Sequence, residues 1–243
     1  VRMPKNETAL ELIRSLGRPI AAPSATVFGY PSSTTAPAVS EDLEDKVDLI
    51  LDGGATQIGV ESTVLKIEND HAVLLRPGGT DVEAIEKILR VVKSSDKEKE
   101  IVESPGEMKS HYAPWTNLSL MGSEFSDFVN ELRGIQNLFQ QKKVAWPRIG
   151  LLLFGRRDLF KTEKGAHLFE TVEVLSQDKD MHEAAANLFQ SLRKLDKINL
   201  DVLVAEAIPE RGLGLAIMDR LKKAAAGHVE IREYLNNLIL MTH

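Results

Sequence analysis

The first stretch whose residue types could do chemistry is PIAAPSATVFGYPSSTT, residues 19–35, which is crowded with hydroxyl side chains. Short hydroxyls and exposed backbone N–H groups can surround the oxygens of a phosphate or a carboxylate, and Gly29 permits close approach. A turn-rich connection whose hydroxyls cap the local backbone has the same composition, and composition alone favours it. No GxSxG pattern lies nearby, so a serine nucleophile has little support.

Two further segments place polar side chains at the ends of predicted strands. In GGATQIGVESTVL, residues 53–65, a glycine-rich turn enters a strand at Ser62 and Thr63. Strand alternation puts these two hydroxyls on opposite faces, so only one of them can face a ligand. In LLRPGG, residues 74–79, Arg76 ends a strand, where its guanidinium could fork a phosphate or a carboxylate. Ordinary strand hydroxyls and a solvated arginine are the structural alternatives.

Two more motifs are unusual for their surroundings. SPGEMKSHYAP, residues 104–114, places an aromatic side chain in a charged stretch, where it could lie over a ligand. His111 is a poor candidate for a lone metal ligand, because no second histidine lies at ligand spacing. GLGLAIMDRLKKAAAG, residues 212–227, has a glycine-rich start but lacks the full GxGxxG of a dinucleotide site. We expect Gly212 and Gly214 to allow tight packing of a helix against a sheet.

The elements that would position the first motifs form an α+β pattern. Asn6 can cap a helix from Glu7 to Leu16, and Gly17 can end it. PIAAPS and VDLILDGG are predicted as strands, residues 38–46 as a short acidic helix, and ESTVLKIE with HAVLLRP as a hairpin. Thr80 and Glu83 suggest a capping box for a helix over TDVEAIEKILRVV.

The pattern changes after a charged and nearly featureless stretch at residues 93–110. Four apolar runs, NLSLMG, RIGLLLFG, TVEVLS and LDVLVAEA, alternate with helical stretches near 123–142, 181–195 and 213–226. Such alternation predicts a parallel sheet covered on both faces by helices. The fold class is therefore α/β, with an α+β unit, a linker and a Rossmann-like α/β unit.

Composition narrows the function classes. The chain has 243 residues, a formal net charge of −6 and no cysteine. An acidic balance disfavours a broad nucleic-acid-binding face, and the lack of cysteine excludes disulfides, thiolate metal sites and cysteine nucleophiles. No apolar run approaches the roughly 20 residues that span a bilayer. We expect a cytoplasmic protein with no membrane partner.

Taken in order, these motifs resemble the Sua5/YrdC/YciO family, specifically its two-domain Sua5-type threonylcarbamoyl-AMP synthases. The similarity extends over nearly the whole chain, and the combination of GVESTVL, RPGG and HYAP is its most specific part. The matching stretches are VRMP (1–4), PIAAPSA (19–25) with Ser32 and Thr35, DLILDGG (48–54), GVESTVL (59–65), LLRPGG (74–79), SPGEMKSHYAP (104–114) and GLGLAIMDRLKKAA (212–225).

The resemblance implies an enzyme, a nucleotidyltransferase that converts L-threonine, bicarbonate and ATP, with Mg²⁺ accompanying the ATP, to threonylcarbamoyl-AMP and pyrophosphate. The product would feed the threonylcarbamoyl-transfer machinery that makes t6A at position 37 of tRNA, without direct tRNA binding by this chain. By motif, the threonine would be contacted by Arg2, Ala22 and Ser62. ATP or the adenylate would be contacted by Ser24, Ser32, Arg76 and Tyr112.

The resemblance also implies a division of the chain. Residues 1–93 would be the C-terminal part of a YrdC-like catalytic domain, 94–114 a linker, and 115–243 the Sua5 C-terminal domain. The first half of the catalytic domain, with the basic residues that grip the triphosphate, would lie before residue 1. We further expect residues 104–114 to cross the mouth of the cleft, with Tyr112 as a lid. The family's opening loop usually reads Ser-Ala-Asn, whereas here Thr26 replaces the asparagine.

Two other functions are compatible with the same fold. One is an inactive or regulatory relative that binds RNA, although the acidic net charge weighs against it. The other is a carbamoyl-adenylate-forming relative of hydrogenase maturation. Those proteins carry zinc-finger segments, and a chain without cysteine has none.

Overall fold

The computed structural model describes residues 4–93, 111–122, 124–155 and 165–241. The helices are α1 Glu7–Leu16, α2 Ala36–Leu43, α3 Val82–Glu86, α4 Phe125–Gln141, α5 Met181–Asp196, α6 Leu213–Ala225 and α7 Ile231–Leu240. The strands are β1 Val64–Glu68, β2 His71–Arg76, β3 Arg90–Lys93, β4 Asn117–Leu120, β5 Ile149–Leu153, β6 Thr171–Val174 and β7 Val202–Ala205. None of the described helices is long and apolar enough to cross a bilayer.

Helix α1 begins and ends where its sequence predicts. The side chain of Asn6 accepts a hydrogen bond from the backbone N–H of Ala9, which satisfies one of the free donors of the first turn. Gly17 ends the helix with a φ of 67° and donates its N–H to the carbonyl of Ile13. Glycine adopts this left-handed conformation without the steric cost that a Cβ would bring.

The first unit is built on a sheet of three strands. β1 and β2 form the predicted antiparallel hairpin, in which Asn69 takes a positive φ of 35° in the turn. β3 lies parallel to β2, with Arg90 opposite His71.

The prediction of one helix from Thr80 to Val92 is wrong in its second half, because Val91 and Val92 pair with β2 as a strand. Nor does the predicted capping box form, because the N-cap residue is Asp81 and Glu83 instead accepts a hydrogen bond from the N–H of Gly212.

Two predicted strands of the first unit are not strands in the structure. PIAAPS (19–24) and VDLILDGG (47–54) are irregular and largely exposed, and Leu49 is 75% exposed. A strand needs a neighbour to accept and donate its backbone hydrogen bonds, and no described strand pairs with either segment. Pro19 and Pro23 also lack the N–H that a ladder requires.

The second unit is the predicted parallel sheet. Its strand order is β4-β7-β5-β6, and every neighbouring pair runs parallel. The four apolar runs therefore give four strands, and α4, α5 and α6 lie where helical stretches were expected. Helix α7 was not predicted from the sequence.

Helices cover both faces of this sheet. Leu152 and Leu203 point to a core shared with α5 and α6, whereas Leu151 and Val204 point to a core shared with α4 and α7. Alternate residues of one strand face opposite sides, so a strand covered on both sides is apolar throughout. β5 and β7 are fully buried along their length. The α/β fold class is confirmed.

Candidate functional site

The hydroxyls of the opening loop mostly turn inward. Thr26 and Ser33 donate to the carboxylate of Asp42 at 3.0 and 2.5 Å. Ser32 donates to Glu61 Oε1 at 2.8 Å, and the Thr35 side chain caps α2 by accepting from Ala38. The loop is therefore an ordered wall whose hydroxyls hold acidic side chains. Thr26, which stands where the family usually has asparagine, takes part in this network.

Two predicted contact residues lie on the exposed part of the opening loop. Ala22 and Ser24 are exposed, so the backbone of Ala22 and the hydroxyl of Ser24 are open to a ligand. Arg2 lies outside the described residues, as do residues 104–110 of the linker.

Ser62 and Thr63 divide their roles between the two faces of the chain. The Thr63 hydroxyl donates to the carbonyl of Thr80 at 2.7 Å and accepts from its N–H at 3.1 Å. The Ser62 residue is exposed. Both residues precede β1, and of the two it is Ser62 that is exposed; its contact with threonine stays a prediction.

Arg76 is at the end of β2, as predicted, but it is buried at 3% exposure. Its Nη2 and Nε donate to the carbonyl of Ser62 at 2.9 and 3.3 Å. The sequence left open a solvated arginine, and the burial contradicts that alternative. These two hydrogen bonds fix the position of the Ser62 carbonyl.

Glu61 joins these segments and was not predicted as a functional residue. Its Oε1 accepts from Ser32, and its Oε2 accepts from Nη2 of Arg220 at 3.0 Å. Burial raises the pKa of Glu61, but the charge of Arg220 and the hydrogen bond from Ser32 outweigh burial and hold the pKa below its usual range. Glu61 is therefore a carboxylate at neutral pH. Its place inside the GVESTVL motif was the only signal in the sequence.

Tyr112 is buried in this structure, and its role as a lid in the intact enzyme stays a prediction. Its ring is 1% exposed, packs 5.3 Å from the ring of Phe189, and has the guanidinium of Arg220 at 5.6 Å. Burial, and then the charge of Glu61, raise the pKa of Tyr112 to about 12. Packing against α5 removes the apolar part of the Tyr112 ring from water, which stabilises this position. Tyr112 therefore anchors the chain at the end of the linker.

The neighbouring His111 is half-buried beside the same cluster. Its Nδ1 has no hydrogen-bond partner among the described residues, and its ring meets that of Tyr112 edge-on at 4.0 Å. Burial lowers the pKa of His111, and the cations of Lys223 and Arg220 add to that effect. The imidazole is therefore neutral at pH 7. No cluster of three potential metal ligands occurs in the described part of the chain.

A second polar cluster joins the two units on the other side of the opening loop. Arg193 of α5 binds Asp42 through Nη1 and Nη2 at 2.9 and 2.6 Å, and both side chains are nearly fully buried. Tyr30 donates to Asp196 at 2.8 Å and stacks on Trp115. A cavity of about 220 Å³ lies beside this cluster. Its lining contains Tyr30, Asp42 and Arg193. None of the predicted contact residues lines it, although Tyr30 belongs to the same loop as Ser24 and Ser32.

The structure thus brings Ser32, Ser62 and Arg76 together around Glu61: Ser32 binds the Glu61 carboxylate, and Arg76 binds the carbonyl of the next residue, Ser62. Ala22 and Ser24 lie on the exposed part of the loop that carries Ser32. This arrangement can hold a polar ligand against an ordered, charged wall.

Two known families match the chain. A family described as "Threonylcarbamoyl-AMP synthase, C-terminal domain" (Sua5_C) matches residues 80–226. The chain belongs to this family. A second family, Sua5_yciO_yrdC, described as "Telomere recombination", matches residues 1–78. The expectation that part of that domain lies before residue 1 stays a prediction.

Curated relatives extend the similarity to both matched regions. Threonylcarbamoyl-AMP synthases of Pyrococcus abyssi and Bacillus subtilis are each 40% identical, over 93% and 94% of this chain. That of Schizosaccharomyces pombe is 36% identical over 93% of the chain. The chain spans 63% of the length of the first two relatives and 57% of the third.

Two solved structures have the same fold. The crystal structure of P. abyssi Sua5 complexed with L-threonine has a TM-score of 0.73 and 37% identity, covering 93% of this chain and 63% of its own. A variant of P. abyssi Sua5, in which a consecutive histidine and tyrosine are replaced by alanine, has a TM-score of 0.74 and 36% identity. It covers 93% of this chain and 62% of its own.

Proposed function

We propose that the protein to which this chain belongs is a threonylcarbamoyl-AMP synthase. It would convert L-threonine, bicarbonate and ATP to threonylcarbamoyl-AMP, pyrophosphate and water. The observation that carries the proposal is the network that joins Ser32, Ser62 and Arg76. These residues come from three separate motifs, and all three belong to the stretches that resemble the family.

The chemistry suits such a wall. A carbamate of threonine is unstable in water, so the reaction needs a polar, enclosed surface on which the carbamate is trapped as a mixed anhydride with AMP. The transfer of an adenylyl group depends on positioning and charge stabilisation rather than on a protein nucleophile. Ordered hydroxyls and a fixed arginine supply both. We assign threonine contacts to Arg2, Ala22 and Ser62.

The nucleotide contacts are assigned to other residues of the same segments. ATP or the adenylate would be held by Ser24, Ser32 and Arg76, with Tyr112 next to the nucleotide. A consecutive His-Tyr pair occurs once in this chain, at His111 and Tyr112, and the engineered P. abyssi variant replaces such a pair. That choice of residues supports a role for His111 and Tyr112. Since the Tyr112 ring is buried, its contribution here would be to hold the end of the linker.

The remaining features of the proposal follow from the reaction. Mg²⁺ would arrive on the ATP, because this ion binds phosphates and keeps most of its waters, needing few protein ligands. The product would pass to the tRNA threonylcarbamoyl-transfer machinery in the cytoplasm. The boundaries 1–93, 94–114 and 115–243 remain our proposed division of the chain.

The experiment is an assay of pyrophosphate release from ATP with bicarbonate, with and without L-threonine, using the full-length protein. L-serine and L-valine, which lack the methyl or the hydroxyl of threonine, are the matched control substrates. We expect release to depend on threonine and on bicarbonate, and the adenylate to be detected by mass spectrometry.

Pyrophosphate release that does not depend on threonine would contradict the proposal. Tight, salt-dependent binding of tRNA without any synthesis of the adenylate would instead indicate the regulatory RNA-binding relative, since phosphate contacts make binding fall steeply with salt.

A further inference from the structure

Helix α6, which carries the GLGLAIMDRLKKAA motif, contributes one buried arginine to the candidate site. The Arg220 side chain is 0% exposed. Its Nη2 and Nε lie 3.0 and 3.1 Å from Oε2 of Glu61. Its Nη1 donates to the carbonyl of Pro77 at 2.5 Å and to the carboxylate of Asp219 at 3.0 Å. The guanidinium therefore leaves its own unit and ends among residues of the other one.

Two partners of Arg220, Glu61 and Pro77, belong to the GVESTVL segment and the RPGG turn, and Glu61 in turn reaches the opening loop. Glu61 holds the hydroxyl of Ser32 with its second carboxylate oxygen, and Glu61 directly precedes Ser62. Pro77 directly follows Arg76, whose guanidinium binds the carbonyl of Ser62. One side chain of α6 thus fixes, directly or through one carboxylate, the opening loop, the GVESTVL segment and the RPGG turn.

We propose that Arg220 is a positioning residue for the threonine and nucleotide site, and that it is the means by which the C-terminal unit supports the reaction. The inference rests on the proposed function. Arg220 does not touch the reacting atoms. It fixes the positions of Ser62 and Ser32. The C-terminal unit thereby helps to position the residues of the site.

An arginine is needed at position 220 because one side chain must donate hydrogen bonds in several directions at once. Its five N–H donors lie in a fixed fork, and here they reach Glu61, Pro77 and Asp219 at once. Lysine would keep the charge but has a single ammonium on a flexible stem, so it can bind Glu61 without also holding Pro77. A mutation to lysine therefore separates the position of the segments from the charge that neutralises Glu61.

The close packing around Gly78 explains why small displacements would matter. A Cβ at Gly78 would come within 2.2 Å of the N of Thr63 and 2.3 Å of the carbonyl oxygen of Glu61. Gly79 also donates its N–H to that carbonyl at 2.9 Å. The turn and the GVESTVL segment are in direct backbone contact, so releasing Pro77 from Arg220 would shift the backbone beside Ser62.

The test compares Arg220→Lys with Arg148→Lys. Arg148 is the control, because it also joins a backbone carbonyl, that of Asn199 at 2.8 Å, to a carboxylate, that of Glu170 at 3.2 Å, but both partners belong to the C-terminal unit. Two quantities are measured: hydrogen exchange of the backbone amides at residues 60–63 and 78–79, and the dissociation constant for L-threonine by calorimetry. Arg220→Met is a second variant that removes the charge as well.

We expect Arg220→Lys to speed exchange at these amides by about tenfold or more and to weaken threonine binding by a similar factor. Arg148→Lys should change both threonine affinity and exchange at these amides by less than about twofold, since its partners are separate from those of Arg220. Glu61→Gln combined with Arg220→Lys should be less damaging than the two single effects added, because the residues act as a pair.

Unchanged exchange at residues 60–63 in Arg220→Lys would overturn the inference, and so would threonine affinity as good as that of the unsubstituted protein. If the unsubstituted full-length protein does not bind threonine, the proposed function fails. The exchange measurement then decides the positioning role of Arg220 alone.

Discussion

At the scale of single residues, the structure distinguishes hydroxyls that hold the fold from those left for a ligand. Thr63 is committed to both backbone groups of Thr80, whereas Ser62 is exposed. A hydroxyl whose single proton is donated to the protein can only accept a hydrogen bond from a substrate. Ser33 donates to Asp42 and Ser32 to Glu61, so Ser32 would meet a nucleotide as an acceptor, whereas Ser24 is exposed.

Ser62→Ala tests this assignment. We expect threonine to bind about tenfold more weakly, because one hydrogen bond to the ligand is lost. The free energy of unfolding should change by less than about 0.5 kcal/mol, since the side chain is exposed. Calorimetric titration with L-threonine and urea denaturation measure the two quantities.

The matched control is Thr63→Val, which removes the adjacent hydroxyl on the opposite face. It should cost about 1 kcal/mol of stability and leave threonine affinity unchanged. Equal loss of threonine affinity in both variants would show that the exposed face of Ser62 is not the contact.

At the scale of elements, the end of the linker is held by its own packing. Tyr112 has a φ of 63°, an uncommon conformation for a residue with a side chain, and its ring is inserted against Phe189. The N–H of Ala113 donates to the carbonyl of Gly29 at 2.7 Å, and that of His111 to the carbonyl of Lys223 at 3.2 Å. The segment is thereby attached to both units, and the buried ring keeps its strained backbone in place.

Tyr112→Ala should therefore destabilise the protein by about 3 to 5 kcal/mol, because it leaves a ring-sized cavity in a packed core. This differs from the expectation for a lid, whose removal leaves the fold intact. Denaturant unfolding followed by circular dichroism measures the change.

Tyr112→Phe is the control, since it keeps the ring and should cost less than about 1.5 kcal/mol. A stability of Tyr112→Ala equal to that of the unsubstituted protein would contradict the anchoring role and favour a lid.

At the scale of the whole molecule, buried charges join the two units. Glu61 pairs with Arg220 and Asp42 with Arg193, and each pair links one unit to the other. For Asp42, burial raises the pKa, but hydrogen bonds from Arg193, Ser33 and Thr26 outweigh burial and lower it overall. Since the folded state then binds protons more weakly than the unfolded state, both pairs stabilise the fold at neutral pH.

The stability should accordingly fall in acid. Unfolded carboxyl groups have pKa values near 4, and the folded values of Glu61 and Asp42 lie below their usual range. Their stabilisation is complete above about pH 5 and is lost as the pH falls through the folded values. Burial also lowers the pKa of His111 and His228, which adds a loss beginning below about pH 6.5.

Urea denaturation between pH 7 and pH 3 measures this dependence. Glu61→Gln and Asp42→Asn should lower stability at pH 7 and flatten the part of the curve below about pH 5. The part above it should keep its slope, because the histidines remain. A curve below pH 5 that is equally steep in both variants would contradict a linkage through these pairs.

The sequence by itself determined what depends on neighbours along the chain. The cap at Asn6, the end at Gly17, the hairpin turn and the four apolar runs of the parallel sheet follow from local periodicity and side-chain type. The sequence also predicted that only one of Ser62 and Thr63 could face a ligand, but both precede β1, and the contacts of Thr63 with Thr80 came from the structure. The motifs likewise indicated the family before any contact was known.

Only the tertiary structure decided which distant residues meet. Arg220 and Glu61 are separated by 159 positions, and Arg193 and Asp42 by 151. No periodicity predicts these pairs, because they exist only once α5 and α6 are packed against the first unit. VDLILDGG has the composition of a strand, but no described strand pairs with it. The burial of Tyr112 has the same origin, since a ring becomes a core residue or a lid according to what packs beside it.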